Sequence, residues 1–243
     1  MVNTEIPNSD FQYKMARNHI ELFLQMTESH FVSLYGKVKC KTMLSVEALY
    51  DLYLSVKYVE QMKIKGAICE VGVWQGGSLA LALLSDCTNT RHVIGFDTFE
   101  GHPMPNQDET DLRGNSMRVR FMEFQEKMNK RWGFSDLDEC RNFLIEIANG
   151  DESRINLVKG DIKDSYTSIA DSPLSILRID CDWYEPSLFA LEKLYPRLQP
   201  GGILIMDDFG HHSGQKKAFF EYFKHPIKYT HVDYSCITLQ KPI

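Results

Sequence analysis

The sequence predicts an α/β fold: a doubly wound, mostly parallel sheet of seven strands with an antiparallel edge and helices on both faces. Three observations lead there. From Gly66 onward, apolar runs rich in β-branched residues (AICEVGVW, HVIGFDTF, INLVKGD, LSILRIDCDW, GILIMDD) alternate with helical stretches, the pattern of crossover units that builds a parallel sheet. Two shorter runs, 229–232 and 236–240, follow and supply the antiparallel pair. Finally, two strand ends carry paired acids, Asp180 and Asp182 in RIDCDWYEP and Asp207 and Asp208 in GGILIMDDFG, at the edge where open α/β sheets hold ligands.

Taken in order, residues 11–36 read as a helix because Phe11, Met15, Ile20, Phe23, Leu24 and Phe31 recur near helical spacing. We expect this helix to make a homo-oligomer contact. A second helix, 45–63, carries Val46, Leu49, Leu52, Tyr53, Val56 and Val59 on one face, which covers a sheet or a partner subunit. Residues 1–65 thus form an N-terminal helical extension on a core of 66–243, and 1–243 is expected to be one domain. Helices at 78–85, 136–149 and 187–198 connect the strands, the last bounded by Pro186 before and Pro200-Gly201-Gly202 after, and 213–223 is helical again. The exception is 101–133, a polar, proline-containing insert (GHPMPNQDETDLRGNSM) that runs into a basic amphipathic stretch (RVRFMEFQEKMNKRWG). A loop this long inside a compact domain reads as a functional lid. Its basic run, 127–131, is a solvated face.

Composition narrows the partners. A chain of 243 residues with 43% apolar and 25% charged residues is an ordinary globular protein. Its net charge of −6 comes with no basic stripe interleaved with aromatics, so nucleic acid is not the expected partner and a neutral or metal-bridged small molecule is. No apolar run reaches membrane-span length, and MVNTEIPNSDFQ lacks the basic start and apolar stretch of a secretory signal, so a cytoplasmic location without membrane contact is expected. Six scattered cysteines without a CxxC indicate neither a disulfide framework nor a zinc site. Strand alternation turns Cys181 away from the acids beside it, into packing.

Four carboxylates converging on one sheet edge repel one another unless a positive charge offsets them. A divalent metal is the natural offset, since magnesium takes oxygen ligands and keeps positions open for a substrate oxygen. A solvated turn is the competing reading for Asp207 and Asp208. Beside the acids, the segment from Glu70 through Gly72, Val73, Trp74, Gly76 and Gly77 to Ser78 follows a strand and opens a helix. Its glycines admit a ligand to the backbone and its helix N-terminus offers donors. Because Trp74 and Gln75 interrupt the GxGxxG spacing, a pyrophosphate-bearing dinucleotide is not the expected ligand. Asp97 ends the second strand about twenty residues further on, where an acid takes ribose hydroxyls. Asp161 ends the third, either as a partner for an adenine amino group or as a helix N-cap. Together they describe a pocket for an adenosyl ligand without phosphates, which S-adenosylmethionine fits.

These motifs resemble the macrocin O-methyltransferase family, metal-dependent enzymes that methylate sugars and phenols of antibiotics and related secondary metabolites. The resemblance runs from about Lys41 to Gly210 on KTML, EVGVWQGGS, GFDTFEG, VKGD, RIDCDWYEPSLFALEKLYPRLQPGG and MDDFG. It implies a Rossmann-like class I methyltransferase fold and a hydroxylated acceptor, a sugar or small secondary metabolite. It also implies magnesium on Asp180, Asp207 and Asp208, with Asp182 as general base. Glu70 through Trp74, Asp97 with Thr98 and Phe99, and Asp180 itself would line the methyl donor, while Thr42 and Met43 would close over its methionine end. Two departures stand out: Cys181 where the family more often has Gly, and His102 to Asp111, which follow no family pattern.

The expected reaction is in-line methyl transfer to an acceptor oxygen, its proton taken by Asp182. His102 is a reserve base, and His211 and His212 are expected in a solvent-facing loop. Trp74, Phe99 and Trp183 pack either on ligand or in the core. The rivals are a NAD-dependent oxidoreductase on a similar sheet and a non-catalytic binding protein that keeps the fold.

Overall fold

The computed structural model describes residues 19–169 and 172–243. Its sheet has seven strands in the order β3-β2-β1-β4-β5-β7-β6: β1 (Ala67–Val71), β2 (Val93–Asp97), β3 (Ile155–Lys159), β4 (Leu174–Ile179), β5 (Leu198–Met206), β6 (Thr230–His231) and β7 (Ile237–Gln240). The first five pair in parallel, and β7 runs antiparallel to both β5 and β6. The expected sheet and antiparallel edge are both present.

Both faces are buried, and the strand period of two divides their side chains between them. Ile68, Ile176 and Ile205 face one apolar core. Cys69, Leu177, Leu204 and Met206 face the other. The first core is closed by α1 (Ser29–Val38), α2 (Val46–Gln61), α3 (Gly77–Ser85) and α5 (Leu137–Ile147), the second by α6 (Tyr184–Leu194) and α7 (Ser213–Tyr222). Every apolar position expected on the α2 face is buried there, so that face covers the sheet. Ser45 caps α2 by accepting a hydrogen bond from Ala48 N–H.

Two boundaries differ from expectation. Of the helix expected over 11–36, residues 11–18 lie outside the described residues, and the rest breaks at Thr27 and Glu28 into a helical segment 19–26 and α1. Thr27 Oγ1 bonds back to Leu24 O at 3.0 Å, and Glu28 is extended, its carboxylate held by Tyr53 Oη at 2.6 Å and Lys57 Nζ at 2.7 Å. The helix expected over 187–198 starts earlier, at Tyr184, with Pro186 inside its first turn, where no intrahelical N–H is needed. Pro200-Gly201-Gly202 then falls within β5.

The register positions the site. Val71 lies opposite Ile179, and Ile179 opposite Met206, so Gly72, Asp180 and Asp207 leave the sheet side by side. The strand order reverses between β1 and its neighbours, which opens a crevice at this edge. Gly72 has φ +92°, and a Cβ there would stand 1.7 Å from Asp180 O, so only glycine allows the two strand ends to meet.

The insert 101–133 is not a bare loop. It carries α4 (Met117–Met128), capped by Ser116, and closes on itself where His102 N–H donates to Trp132 O at 2.8 Å. Met117 and Phe121 pack on Trp183, which is buried beneath the insert and also borders the cleft. Among the described residues no helix is long and apolar enough to cross a membrane.

Candidate active site

The carboxyl ends of β1, β2, β4 and β5 and the inner side of the insert enclose a cleft of about 640 Å³, within the range that holds small ligands. On its β1 side, Val73, Trp74 and Ser78 line the wall, while Gly76 and Gly77 sit behind it. Gly77 N–H donates to Lys41 O at 2.9 Å. This contact brings Thr42 and Met43 to the rim, Met43 with its side chain in solvent. Asp97 closes the glycine turn: Oδ2 accepts from Val73 and Trp74 N–H, both at 2.8 Å, and Oδ1 from Phe99 N–H at 2.7 Å. A carboxylate offers about four acceptor positions, so roughly one remains for a ligand hydroxyl. Thr98 lines the cleft, whereas Phe99 is buried behind it. Asp161 caps the helical turn Ile162–Ser165, Oδ1 accepting from Lys163 N–H at 2.9 Å, and also lines the cleft.

The positive charge among the acids comes first from the chain itself. Arg178, two residues before Asp180 and on the same side of β4, is only 2% exposed. Its Nη1 lies 2.5 Å from Glu70 Oε1 and 2.7 Å from Asp180 Oδ2, and its Nη2 lies 2.7 Å from Asp207 Oδ1. Glu70 is therefore an internal strut: Ser78 Oγ donates to both its oxygens at 2.6 and 2.8 Å, and it is not on the cleft wall. Burial pushes its carboxyl up to about 7, against the opposing pull of Arg178 and Ser78.

One guanidinium does not offset Glu70, Asp180, Asp182, Asp207 and Asp208 together. Burial, then the charge of Asp180, drives the Asp207 carboxyl well above its ordinary value. Burial followed by Asp182, Asp180 and Asp207 does the same to Asp208. Asp208 Oδ2 is buried without a hydrogen-bond partner. Asp180, Asp207 and Asp208 each offer one oxygen, all within 4.8 Å of one another. An all-oxygen donor set with surplus negative charge and an unsatisfied buried oxygen fits a hard divalent cation.

Asp182 sits beyond the strand in the left-handed region at φ +58°; Trp74 at +49° and Phe99 at +50° share that conformation in the neighbouring loops. Strain of this kind costs about 1–3 kcal/mol per residue and concentrates at functional sites. Two imidazoles flank the Asp182 carboxylate: Nε2 of His102 and Nε2 of His212 each lie 3.6 Å from Oδ2. Burial alone would raise the Asp182 carboxyl. The charges of His102 and His212 and a hydrogen bond with Asp208 outweigh burial and hold it below its ordinary value.

His212 corrects the expectation of a solvent-facing loop, since it is 5% exposed. The insert buries it: Thr110 N–H donates to Ser213 Oγ at 2.8 Å, Ser213 N–H to Thr110 O at 2.9 Å, and Asp111 bridges to His212. Burial lowers the His212 pKa in spite of Asp182. Glu109 anchors the same stretch by accepting from Tyr184 N–H at the start of α6, at 3.1 Å. His211 lies on the cleft wall with Tyr234 Oη 3.3 Å from its Nδ1. Cys181 packs as expected, its Sγ 3.5 Å from Ser187 Oγ.

A family model described as Macrocin-O-methyltransferase (TylF) matches residues 36–241. The 8-demethyl-8-(2,3-dimethoxy-alpha-L-rhamnosyl)-tetracenomycin-C 4'-O-methyltransferase of Streptomyces olivaceus is 29% identical over 178 residues, 69% of this chain and 62% of the relative. The Mycinamicin III 3''-O-methyltransferase of Micromonospora griseorubida is 28% identical over 171 residues, 69% of this chain and 65% of the relative. The chain thus spans less than two thirds of the length of these relatives. The structure of the O-methyltransferase NovP is similar with a TM-score of 0.68 at 24% identity, covering 84% of this chain and 83% of that one. The calicheamicin methyltransferase CalS11 gives 0.65 at 18%, covering 97% and 94%. At these identities the two structures speak for the fold, that of class I O-methyltransferases.

Proposed function

This chain belongs to the macrocin O-methyltransferase family, and from that premise we propose that it transfers the methyl group of S-adenosylmethionine to a hydroxyl of a sugar or small secondary metabolite, with magnesium held by Asp180, Asp207 and Asp208. One observation carries the reading: the glycine turn after β1 and the acids after β4 and β5 open side by side into the same cleft. The two relatives are named as O-methyltransferases of a rhamnosyl-tetracenomycin and of mycinamicin III.

Thr42, Met43, Val73, Trp74, Asp97, Thr98 and Asp161 form the donor side in this reading. Asp180 would serve both the donor wall and the cation. Glu70, Gly76, Gly77 and Phe99 support that wall from behind. When bound, magnesium would act as a Lewis acid that eases ionisation of the acceptor hydroxyl. The hydroxyl proton passes to the Asp182 carboxylate as the oxygen attacks the methyl carbon. The carbon–sulfur bond breaks, and its electron pair stays on sulfur, leaving a neutral thioether. The Asp182 carboxyl is held below its ordinary value and is therefore ionised, as a proton acceptor must be. Its turn, its burial and the contacts of His102 and His212 fix its direction. The insert, through Pro103 and Trp132, walls the acceptor side together with Trp183 just before α6, and excludes water.

The reading also includes a cytoplasmic enzyme that acts on small molecules, and a homo-oligomer formed through the N-terminal helices. Ile20, Leu22, Met26 and Val32 leave apolar surface exposed on those helices, and light scattering of the purified protein tests the contact. For the function, isothermal titration with S-adenosylmethionine and with Mg²⁺ should show both binding. Asp180→Asn and Asp208→Asn should each lower Mg²⁺ affinity at least tenfold. Undiminished Mg²⁺ binding in both variants would remove the metal assignment.

A further inference from the structure

Asp182, Asp208 and His212 bring Oδ, Oδ and Nε2 atoms together within 4.8 Å, a second grouping beside the three-oxygen one. His212 Nε2 lies 3.6 Å from Asp182 Oδ2 and 3.9 Å from Asp208 Oδ1. Both distances exceed a hydrogen bond. Nδ1 of the same ring is buried without a partner. Among the described residues, then, a 95% buried imidazole has no hydrogen bond at either nitrogen and points Nε2 into a pair of carboxylates. Nε2, which faces the cleft, therefore keeps its bonding capacity for a ligand. Asp208 Oδ2 is buried and unpartnered as well.

We propose that Asp182, Asp208 and His212 form a second cation site, chemically distinct from the magnesium site, that takes a borderline transition ion of the zinc type. Imidazole together with two carboxylates suits such ions, whereas an all-oxygen set suits magnesium. A tetrahedral ion bound at 2.0–2.1 Å separates its ligands by roughly 3.3 Å. The observed 3.6 and 3.9 Å stand a few tenths of an ångström above that value. The loop is held for the purpose: His212 N–H donates to Asp208 O at 2.8 Å, and the insert clamps the next residue through Thr110. All three residues line the cleft.

The consequence rests on the proposed methyl transfer. Asp208 is common to both groupings and Asp182 is the base, so an ion seated here removes a magnesium ligand and the proton acceptor together. The site is inhibitory: it makes the enzyme sensitive to the ratio of zinc-type ions to magnesium.

The test is made by binding and by spectroscopy, independently of turnover. Titration of the full chain with Zn²⁺ should show a site that His212→Gln weakens at least tenfold while Mg²⁺ affinity stays within about twofold. Asp180→Asn should do the reverse, losing Mg²⁺ and keeping Zn²⁺. Equal Zn²⁺ affinity in wild type and His212→Gln overturns the proposal. X-ray absorption of the Zn²⁺-loaded wild-type protein guards against a variant that fails to fold. A first shell of oxygen with one imidazole supports the site, and a shell containing sulfur or lacking imidazole overturns it. Were S-adenosylmethionine and Mg²⁺ not to bind at all, the methyltransferase reading would fall while the Zn²⁺ measurements still decided this one.

Discussion

Replacing Arg178 by Met should damage the fold more than any other single change at the sheet edge. The guanidinium is 3% exposed and meets Glu70 at 2.5 Å, Asp180 at 2.7 Å and Asp207 at 2.7 Å. Asp180 and Asp207 are 27% and 17% exposed and reach water for part of their solvation, but Glu70, at 2%, does not. Breaking a buried pair by removing one partner costs about 3–5 kcal/mol. In a domain of this size each kcal/mol moves Tm by about 2–4 °C, so the loss should be about 6–20 °C. The pH dependence has a definite sign. Glu70 already stands at about 7 in the folded protein, above its unfolded value. A raised carboxyl contributes stability below its unfolded pKa, and that contribution is lost as pH rises through the folded one. Without Arg178 the folded value moves higher still, so the deficit should widen as pH rises above about 7. Thermal unfolding of wild type, Arg178→Met and the double variant Arg178→Met/Glu70→Gln measures this, and the double variant should recover part of the loss. An Arg178→Met Tm within about 2 °C of wild type at pH 8 would show that Arg178 does not hold the buried acids, since that is at most about 1 kcal/mol.

Three further outcomes follow from the same geometry. Asp182→Asn should cut turnover by at least about a hundredfold, the usual range for a lost general base, while S-adenosylmethionine affinity in titration stays near wild type; unchanged turnover would move the role elsewhere. Burial raises Asp51 to about 6, with a hydrogen bond to Thr238 only partly opposing it. Asp51→Asn should therefore stabilise the protein at pH 8 by up to about 2 kcal/mol, and the gain, followed by denaturant titration, should fade below about pH 4. Gly133 has φ +68°, and a Cβ there would lie 2.3 Å from the His102 ring. Gly133→Ala should displace His102 and lower kcat/KM for the acceptor without weakening the donor, which steady-state kinetics separates from simple unfolding.

How much of this was legible depends on how local the cause is. The strands read well because both faces of the sheet are buried, which makes them continuous apolar runs. The acids stood out as charges ending such runs. Arg178 left a signal of the same kind that went unread: a cation inside the fully buried strand LSILRI needs internal partners, and Asp180 two residues on is the nearest. His212 could not be placed from its own neighbourhood. Its burial comes from Thr110 and Asp111, about a hundred residues away in an insert whose spacing has no strong period. Glu70 was assigned to the cleft because it adjoins the glycine turn, but strand alternation points it at Arg178 and Ser78.

The central claim is that a divalent cation on Asp180, Asp207 and Asp208 stands next to the methyl donor. The most direct measurement is the NMR signal of S-adenosylmethionine labelled with ¹³C in its methyl group, bound to the protein and titrated with paramagnetic Mn²⁺ in place of Mg²⁺. A cation at that place should broaden the methyl signal strongly in the wild-type protein, an effect reversed by excess Mg²⁺ and absent in Asp208→Asn. A methyl signal that stays sharp with Mn²⁺ bound, or that broadens equally in Asp208→Asn, would contradict it.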